Sequence, residues 1–208
     1  MTRLIVAGIG TGVGKTVVSA ILTTCLKGEY WKPIQCGDEE DLDTVLMKKL
    51  IDKTMYPIHE SAYSLRAPLS PHHAARLENV SIHLENIVPP QTTRPLIIES
   101  AGGIFVPLTA KTLSFDLFKS WNLPWVVVSK HYLGSINHTL LTFDALKRNN
   151  ILIKGLIFNG HPNQDSENAI LEFSKVPVLG RLLPESNINP QTIQRYAKLW
   201  KPHISQIL

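Results

Sequence analysis

The residues most able to do chemistry in this 208-residue sequence stand in a glycine-rich stretch near its start. Residues 8–16 read Gly-Ile-Gly-Thr-Gly-Val-Gly-Lys-Thr. Glycines at this spacing let successive backbone N–H groups converge on phosphate oxygens, and the lysine and threonine that follow can bind phosphate and Mg²⁺. We therefore predict a phosphate-binding loop in which Lys15 reaches the β- and γ-phosphates and Thr16 ligates Mg²⁺.

The spacing of this loop differs by one residue from the usual pattern. Five residues separate Gly8 from Gly14, where four are usual. The alternative is a glycine-rich turn that merely begins a helix. An apolar strand pattern before the loop, a helical pattern after it and the Lys-Thr pair together favour the phosphate loop.

A carboxylate follows a second apolar stretch. Leu96-Ile97-Ile98 is followed by Glu99 and then by Ser-Ala-Gly-Gly. Open α/β sheets bind ligands beyond the carboxyl ends of their strands, so Glu99 is a candidate metal ligand. The alternatives are a helix cap and a solvated loop acid, but the paired glycines favour close approach of the backbone to a ligand.

Two further charged features remain ambiguous. Residues 38–43 contain five acids in six positions, a composition typical of a solvated helix start, and position alone cannot say whether one of them binds a metal. Lys32 precedes Pro33 on a predicted short strand. A cation there could neutralise the charge that builds between two anionic reactants, or it could form a structural salt bridge.

The elements that must position these residues alternate along the chain. Predicted strands are 3–7, 31–35, 96–98, 125–129, 156–158 and 176–179, and predicted helices are 15–27, 43–51, 115–120, 138–148, 167–173 and 190–200. The strands are apolar without alternation, which indicates burial on both faces. The fold class is therefore α/β, with a mostly parallel central sheet and helices on both faces. Residues 56–95 are interpreted as an insertion of loops and short helices.

Length, composition and charge favour a single-domain cytoplasmic protein without a membrane or nucleic-acid partner. The length suits one domain over residues 1–208. Two cysteines cannot form a disulfide framework, which favours a reduced, cytoplasmic protein. No apolar run reaches membrane-helix length and the start lacks a signal-peptide pattern, so we expect no membrane association. The net charge is +4 and the lysines are scattered along the chain, so we expect no nucleic-acid partner.

Taken together, these motifs resemble the dethiobiotin synthase family, a group of phosphate-loop enzymes. The resemblance covers nearly the whole chain. It rests on Gly8 to Thr16, Lys32-Pro33-Ile34-Gln35-Cys36-Gly37, Ser70-Pro71-His72, Glu99-Ser100-Ala101-Gly102-Gly103, Leu133-Gly134-Ser135-Ile136-Asn137-His138 and Asn159. The order and spacing of these elements are more specific than any one of them, and the family has the same five-residue gap in its loop.

The resemblance implies a reaction. The family joins 7,8-diaminononanoate, CO₂ and ATP, with Mg²⁺ as the metal. One amine becomes a carbamate, the γ-phosphate moves to it to give a carbamic–phosphoric anhydride, and the second amine closes the ureido ring of dethiobiotin. Family members are homodimers whose substrate site lies at the subunit interface.

The resemblance also assigns residues. Lys32 and Lys15 match catalytic lysines, and the metal-ligand positions are Thr16, Asp43 and Glu99. The ATP-binding positions are Gly12, Val13, Gly14, Lys15, Thr16, Val17, Asp43, Glu99, Ser100, Ala101, Gly102, Asn159, Gly160, Leu183, Pro184 and Glu185. The substrate positions are Thr11, Cys36 and Ser70, with Leu133, Gly134, Ser135 and Asn137 supplied by the neighbouring subunit.

Four positions depart from the family pattern. Cys36 replaces a Ser or Thr, and a thiol is a weaker hydrogen-bond donor. Gly160 replaces an Asp beside the adenine-reading Asn159, which removes a carboxylate that would recognise the adenine amino group. Ser100 replaces a Gly, and Gly10 stands where Asp is common.

Other nucleotide-binding classes stay open from the residues alone. A partition-type ATPase usually has a second lysine early in the loop, where this chain has Gly10. A related amidotransferase-type ligase remains possible. Small-molecule kinases use an arginine-rich lid and GTPases an Asn-Lys-x-Asp motif, neither of which is present. A non-catalytic nucleotide-binding module would not need Lys32 and Glu99.

Overall fold

The computed structural model describes residues 2–205, apart from the side chain of Asp41. Its strands are β1 (Arg3–Gly8), β2 (Glu29–Trp31), β3 (Ile34–Cys36), β4 (Ile58–His59), β5 (Tyr63–Leu65), β6 (Leu96–Gly103), β7 (Trp125–Lys130), β8 (Ile153–Asn159) and β9 (Val178–Leu182). Seven of them form one parallel sheet in the order β4-β2-β6-β1-β7-β8-β9. The other two, β3 and β5, pair in parallel as a separate ribbon.

Helices cover both faces of the sheet. They are α1 (Lys15–Leu26), α2 (Asp43–Leu50), α3 (Pro71–Leu77), α4 (Ser114–Ser120), α5 (Ser135–Arg148), α6 (Gln164–Ser174) and α7 (Pro190–Ser205). Apolar residues of α1, α2 and α7 pack in one core cluster, and those of α4, α5 and α6 pack in another. The expected α/β architecture is therefore confirmed, with helices on two sides of a parallel sheet.

Consecutive residues of β1 explain why its sequence is apolar without alternation. Leu4 and Val6 belong to the cluster beneath α1, whereas Ile5 and Ala7 belong to the opposite cluster. Side chains alternate between faces along a strand, so a strand covered on both sides must be apolar at every position. The central strand is thus buried on both faces.

The predicted strand at residues 31–35 is wrong in one respect. The chain forms β2 up to Trp31 and β3 from Ile34, in two different sheets, and Lys32 lies in the break. Pro33 has no backbone N–H to donate to a ladder, so it interrupts regular pairing. This break turns the chain at Lys32 away from the main sheet.

Several other boundaries also differ from the prediction. Residues 56–95 contain β4 and β5 besides α3 and a short 3-10 turn, whereas loops and helices alone were expected. These strands have only two or three residues, too few for a periodic pattern to be visible. The last strand begins at Val178 rather than Val176, because Pro177 cannot donate a ladder hydrogen bond.

The order of the strands creates a crevice beside β1. The chain passes from β1 to β2 on one side, returns to β6, and then crosses β1 to reach β7 on the other side. Such a reversal opens a space beyond the carboxyl ends of the strands, where doubly wound sheets bind ligands. Within residues 2–205, no helix is both long and apolar enough to cross a membrane.

Candidate active site

The glycine loop connects β1 to α1 at this crevice. Gly12 and Gly14 have φ angles of 69° and 94°, a left-handed conformation that glycine adopts without strain. Gly14 also lies close to Asn159, since a Cβ at position 14 would be 2.4 Å from the amide nitrogen of that residue. The loop therefore has a conformation in which its backbone N–H groups can converge on an anion at the N-terminus of α1.

Lys15 is turned back over this loop. Its ammonium donates a hydrogen bond to the Gly10 carbonyl at 3.0 Å. Burial lowers the pKa of Lys15 to about 8, although the nearby Glu99 carboxylate acts in the opposite direction. A buried ammonium held by one carbonyl is ready to exchange that contact for a phosphate oxygen, which would pair its charge.

Four residues, three from different elements and one from the break after β2, meet beside the loop. The Thr16 hydroxyl contacts the Asp43 carboxylate and donates to Glu99 Oε1 at 3.0 Å. The Lys32 ammonium also contacts Asp43, and it lies 3.0 Å from Glu99 Oε1. Thr16 is the second residue of α1, Asp43 begins α2, Glu99 lies within β6 and Lys32 follows β2. Residues separated by up to 83 positions thus form one cluster.

The charges in this cluster set one another's protonation. Burial by itself would lower the pKa of Lys32, but the Glu99 and Asp43 carboxylates outweigh burial and raise it. Burial would likewise raise the pKa of Asp43, but Lys32 lowers it. Lys32 is 4% exposed and Glu99 is 1% exposed, which excludes a solvated loop acid at position 99. Both roles considered for Lys32 remain, since a salt-bridged lysine can also face substrate.

Two buried contacts of this cluster were missed by the sequence analysis. The Tyr30 hydroxyl donates to Glu99 Oε2 at 2.9 Å, and Tyr30 is fully buried. The side chains of Gln35 and Thr44 hydrogen-bond at 3.2 Å, which ties the segment after Lys32 to the start of α2. A tyrosine on a buried strand is usually a packing residue, so no signal in the sequence marked Tyr30.

A cavity of about 690 Å³ opens over this cluster. Its lining includes Thr11, Gly12, Gly14, Lys15, Thr16, Val17, Lys32, Cys36, Asp43, Ser70, Glu99, Ala101 and Gly102. The volume is within the range of small-molecule sites. The structure thus brings together most residues predicted for the phosphates, the metal and the near side of the substrate.

Cys36 lies on the wall of this cavity. Burial raises the pKa of its thiol to about 11, and the Lys32 ammonium only partly opposes that effect. The thiolate is the nucleophilic form of cysteine. Cys36 is therefore a lining residue with a neutral thiol at neutral pH.

Several predicted site residues lie outside the cavity lining. Val13 and Ser100 are buried behind it, and the Ser100 hydroxyl has no hydrogen-bond partner among the described residues. Asn159 ends β8 and donates to the Val13 carbonyl at 2.8 Å, and Gly160 follows it. Asn159 and Gly160 lie across the glycine loop from Lys32, because β8 is on one side of β1 in the sheet and β2 and β6 are on the other.

The loop after β9, residues 183–185, lies on that same side of the sheet. The Tyr196 hydroxyl holds this loop: it donates to Glu185 at 2.5 Å and accepts from the Leu183 N–H at 3.2 Å. Arg195 adds a salt bridge to Glu185 at 2.7 Å. The loop is thus anchored to α7 through its own carboxylate.

The segment from Leu133 to Asn137 also lies apart from the cavity. Leu133 is fully exposed, Gly134 has a φ of 99°, and Ser135 begins α5. Farther along, α5 lines an apolar groove of about 580 Å³ together with Phe105. The segment does not reach the cavity of its own chain.

The donor set beside the glycine loop fits Mg²⁺. It consists of one hydroxyl and two carboxylates, and Mg²⁺ prefers oxygen ligands while leaving other positions to water and phosphate. Within the described residues, no group of three His, Cys, Asp or Glu side chains could hold a metal by itself. Thr16, Asp43 and Glu99 therefore suit a metal that shares its ligands with a nucleotide.

Solved structures of other proteins share this fold. The septum site-determining protein MinD of Pyrococcus horikoshii, complexed with Mg-ADP, matches with a TM-score of 0.57 and 16% identity over 97% of this chain and 90% of that one. A plasmid partition protein of Borrelia burgdorferi bound to AMPPNP matches with a TM-score of 0.55 and 13% identity over 99% and 97%. At these identities the likeness shows a common fold and no more.

Curated relatives share much more sequence identity with this chain than these structures do. A family model described as an AAA domain matches residues 2–192. The ATP-dependent dethiobiotin synthetase of Chlamydia pneumoniae is 47% identical over 201 residues, which cover 97% of this chain and 90% of that protein. That of Christiangramia forsetii is 43% identical over 202 residues, which cover 97% of each. The chain belongs to the ATP-dependent dethiobiotin synthetase family.

Proposed function

We propose that this protein makes dethiobiotin in biotin biosynthesis, as an ATP- and Mg²⁺-dependent cyclo-ligase that joins CO₂ to 7,8-diaminononanoate. The relatives are named ATP-dependent dethiobiotin synthetases, which supports the product and the use of ATP. The observation that carries the proposal is the Lys32 ammonium, paired with Asp43 and Glu99 and lining one cavity with the glycine loop. That arrangement suits a reaction between two anions.

The phosphate end of ATP binds the glycine loop in this proposal. Backbone N–H groups of residues 12–17 and the positive end of the α1 dipole face the phosphates. Lys15 leaves the Gly10 carbonyl for the phosphate oxygens, and Glu99, Ala101 and Gly102 line the other side of the same space. Pairing with phosphate keeps Lys15 protonated even though burial favours its neutral form.

Thr16, Asp43 and Glu99 would hold Mg²⁺. When bound, Mg²⁺ neutralises charge on the phosphate oxygens and favours their approach to an anionic acceptor. Lys32 lowers the pKa of the Asp43 carboxyl, which favours its ionised form, and it also pairs with the Glu99 carboxylate. The lysine therefore limits the repulsion between the acids before any ligand arrives.

Lys32 also acts on the reacting groups in this proposal. One substrate amine takes up CO₂ as a carbamate, whose oxygen attacks the γ-phosphorus while ADP leaves. The second amine then attacks the carbonyl carbon of the resulting carbamic–phosphoric anhydride, phosphate leaves and the ureido ring closes. Lys32 faces the shared cavity and neutralises carbamate and phosphate as they approach.

The substrate contacts Thr11, Cys36 and Ser70 on the cavity wall. The neutral Cys36 thiol packs against the diamine or donates weakly to it, because its pKa is about 11. The adenine lies across the loop near Asn159, Gly160 and residues 183–185. Support for this placement comes from Asn159, which joins that side to the phosphate loop.

The enzyme is a homodimer in this proposal, and residues 133–137 of one chain complete the substrate site of the other. The exposed Leu133 and the apolar groove along α5 support it, because large exposed apolar surface commonly marks an interface. The two free cysteines suit a reducing cytoplasm. We further propose that residues 1–208 act as one domain.

Phosphate release from ATP tests the activity. We expect release that requires Mg²⁺, the diamine and bicarbonate together, and dethiobiotin as a product detected by mass spectrometry. Omission of the diamine is the matched control. Phosphate release at the same rate without the diamine would instead indicate a general ATPase.

A further inference from the structure

Tyr30 lies directly beneath the candidate metal site. It stands on β2, is fully buried, and donates its hydroxyl hydrogen to Glu99 Oε2 at 2.9 Å. Among the described residues, Tyr30 is not part of the cavity lining. It therefore cannot touch the substrates, and any effect on the reaction must pass through Glu99.

The parallel pairing of β2 with β6 sets this contact. Tyr30 pairs with Ile97, and the neighbouring pair of Trp31 with Ile98 fixes the same register. Glu99 lies two residues beyond Ile97, on the same face and about 6.6 Å farther along the strand. A tyrosine side chain spans that distance, whereas smaller strand residues at position 30 would leave the Glu99 oxygen without a donor.

The two oxygens of Glu99 have separate partners. Oε1 accepts from Thr16 and from Lys32, both at 3.0 Å, whereas Oε2 accepts from Tyr30. A buried carboxylate oxygen without a donor is costly. Loss of the Tyr30 hydroxyl would therefore favour rotation of the carboxylate toward its remaining donors.

We propose that Tyr30 is a positioning residue, which anchors Oε2 of Glu99 so that Oε1 stays turned toward Thr16 and Lys32 for metal binding. The inference rests on the proposed role of Glu99 as a metal ligand. Groups that orient a ligand from behind commonly change metal affinity by about 10- to 100-fold when they are removed. Tyr30 is such a group for Glu99, because its hydroxyl binds the oxygen that faces away from Thr16 and Lys32.

The test removes one hydroxyl. Tyr30→Phe keeps the ring, and Tyr63→Phe is the matched control, because the Tyr63 hydroxyl is also hydrogen-bonded, to the His83 N–H at 2.9 Å in the insertion. Mn²⁺ binding is measured by electron paramagnetic resonance with a non-hydrolysable ATP analogue. We expect the Kd for Mn²⁺ to rise about tenfold in Tyr30→Phe and less than about twofold in Tyr63→Phe.

Kinetics give a second measurement. The Mg²⁺ concentration for half-maximal activity should rise by the same factor, while kcat at saturating Mg²⁺ stays within about threefold of the parent value. A purely structural role would lower the melting temperature and kcat without moving the metal dependence. That outcome, or an unchanged Kd for Mn²⁺ in folded Tyr30→Phe, would overturn the proposal.

A double-mutant cycle tests the route through Glu99. In a Glu99→Gln background, Tyr30→Phe should cause no further weakening of Mn²⁺ binding, and equal weakening in both backgrounds would contradict the route. The proposed function fails separately. It fails if the parent enzyme shows no diamine-dependent phosphate release, whatever the Mn²⁺ measurements give.

Discussion

Around Lys32 the charged side chains form ion pairs, and Lys32 and Glu99 are buried. By contrast, Leu133 and Asn137 on the far side of the glycine loop face solvent. Lys32 is 4% exposed, and Leu133 is fully exposed. Buried charges persist only when they are paired, so the chain itself supplies the partners at the first region. The second region exposes an apolar and a polar side chain that have no partner within the described part of the same chain. The difference separates what one chain completes from what the proposed dimer completes.

The largest effect is expected where the buried charges meet. Lys32→Ala should lower kcat by at least about 10³-fold, because the charge that neutralises both reactants is lost. ATP affinity should stay within about threefold, since Lys15 and the loop backbone remain. Steady-state turnover and titration calorimetry measure the two quantities. Lys198→Ala on the exposed face of α7 is the control, and loss of ATP binding in Lys32→Ala would contradict the assignment.

A charge at the exposed region should be nearly as damaging. Leu133→Asp should leave the fold intact but prevent the dimer, and turnover should fall by about 10²-fold because the substrate site is incomplete. Sedimentation would show the 23.2 kDa chain mass instead of twice that value. Leu152→Asp alters a leucine that is exposed elsewhere and should change neither result. A fully active monomer would refute the shared site.

The loop after β9 should give an intermediate effect. Tyr196→Phe removes the hydroxyl that binds both Glu185 and Leu183, so the KM for ATP should rise by about three- to tenfold while the KM for the diamine is unchanged. The free energy of unfolding should fall by about 1 kcal/mol. Kinetics with each substrate varied and denaturant titration check these values. An equal rise in both KM values would place the loop elsewhere than beside the adenine.

The smallest effect concerns Cys36. Burial raises its thiol pKa to about 11, so at pH 7 roughly one molecule in 10⁴ carries the thiolate. Alkylation by iodoacetamide should therefore be slow at pH 7 and rise about tenfold for each pH unit up to about pH 10. Mass spectrometry of the modified peptide measures the rate. Cys36→Ser should change turnover by less than about threefold, and rapid alkylation at pH 7 would contradict the buried, neutral thiol.

Much of the fold was predictable because local signals agreed with one another. Apolar strands and amphipathic helices alternate, and the glycine loop has its strand before it and its helix after it. The break at Pro33 and the strands of two or three residues between 56 and 65 were not predicted. Strands this short are stabilised by neighbours that are distant in sequence, so a periodic pattern cannot reveal them.

The sequence by itself indicated the family and the phosphate loop, because both depend on residue types in a fixed order and spacing. The resemblance to that family then marked Thr16, Asp43 and Glu99 as candidate metal ligands. Only the tertiary structure decided which charges pair. Lys32 meets both Asp43 and Glu99, and Tyr30 fixes the orientation of Glu99, because the strand order and register bring these residues together. Pairing of buried charges is a property of three-dimensional proximity, and spacing along the chain does not encode it.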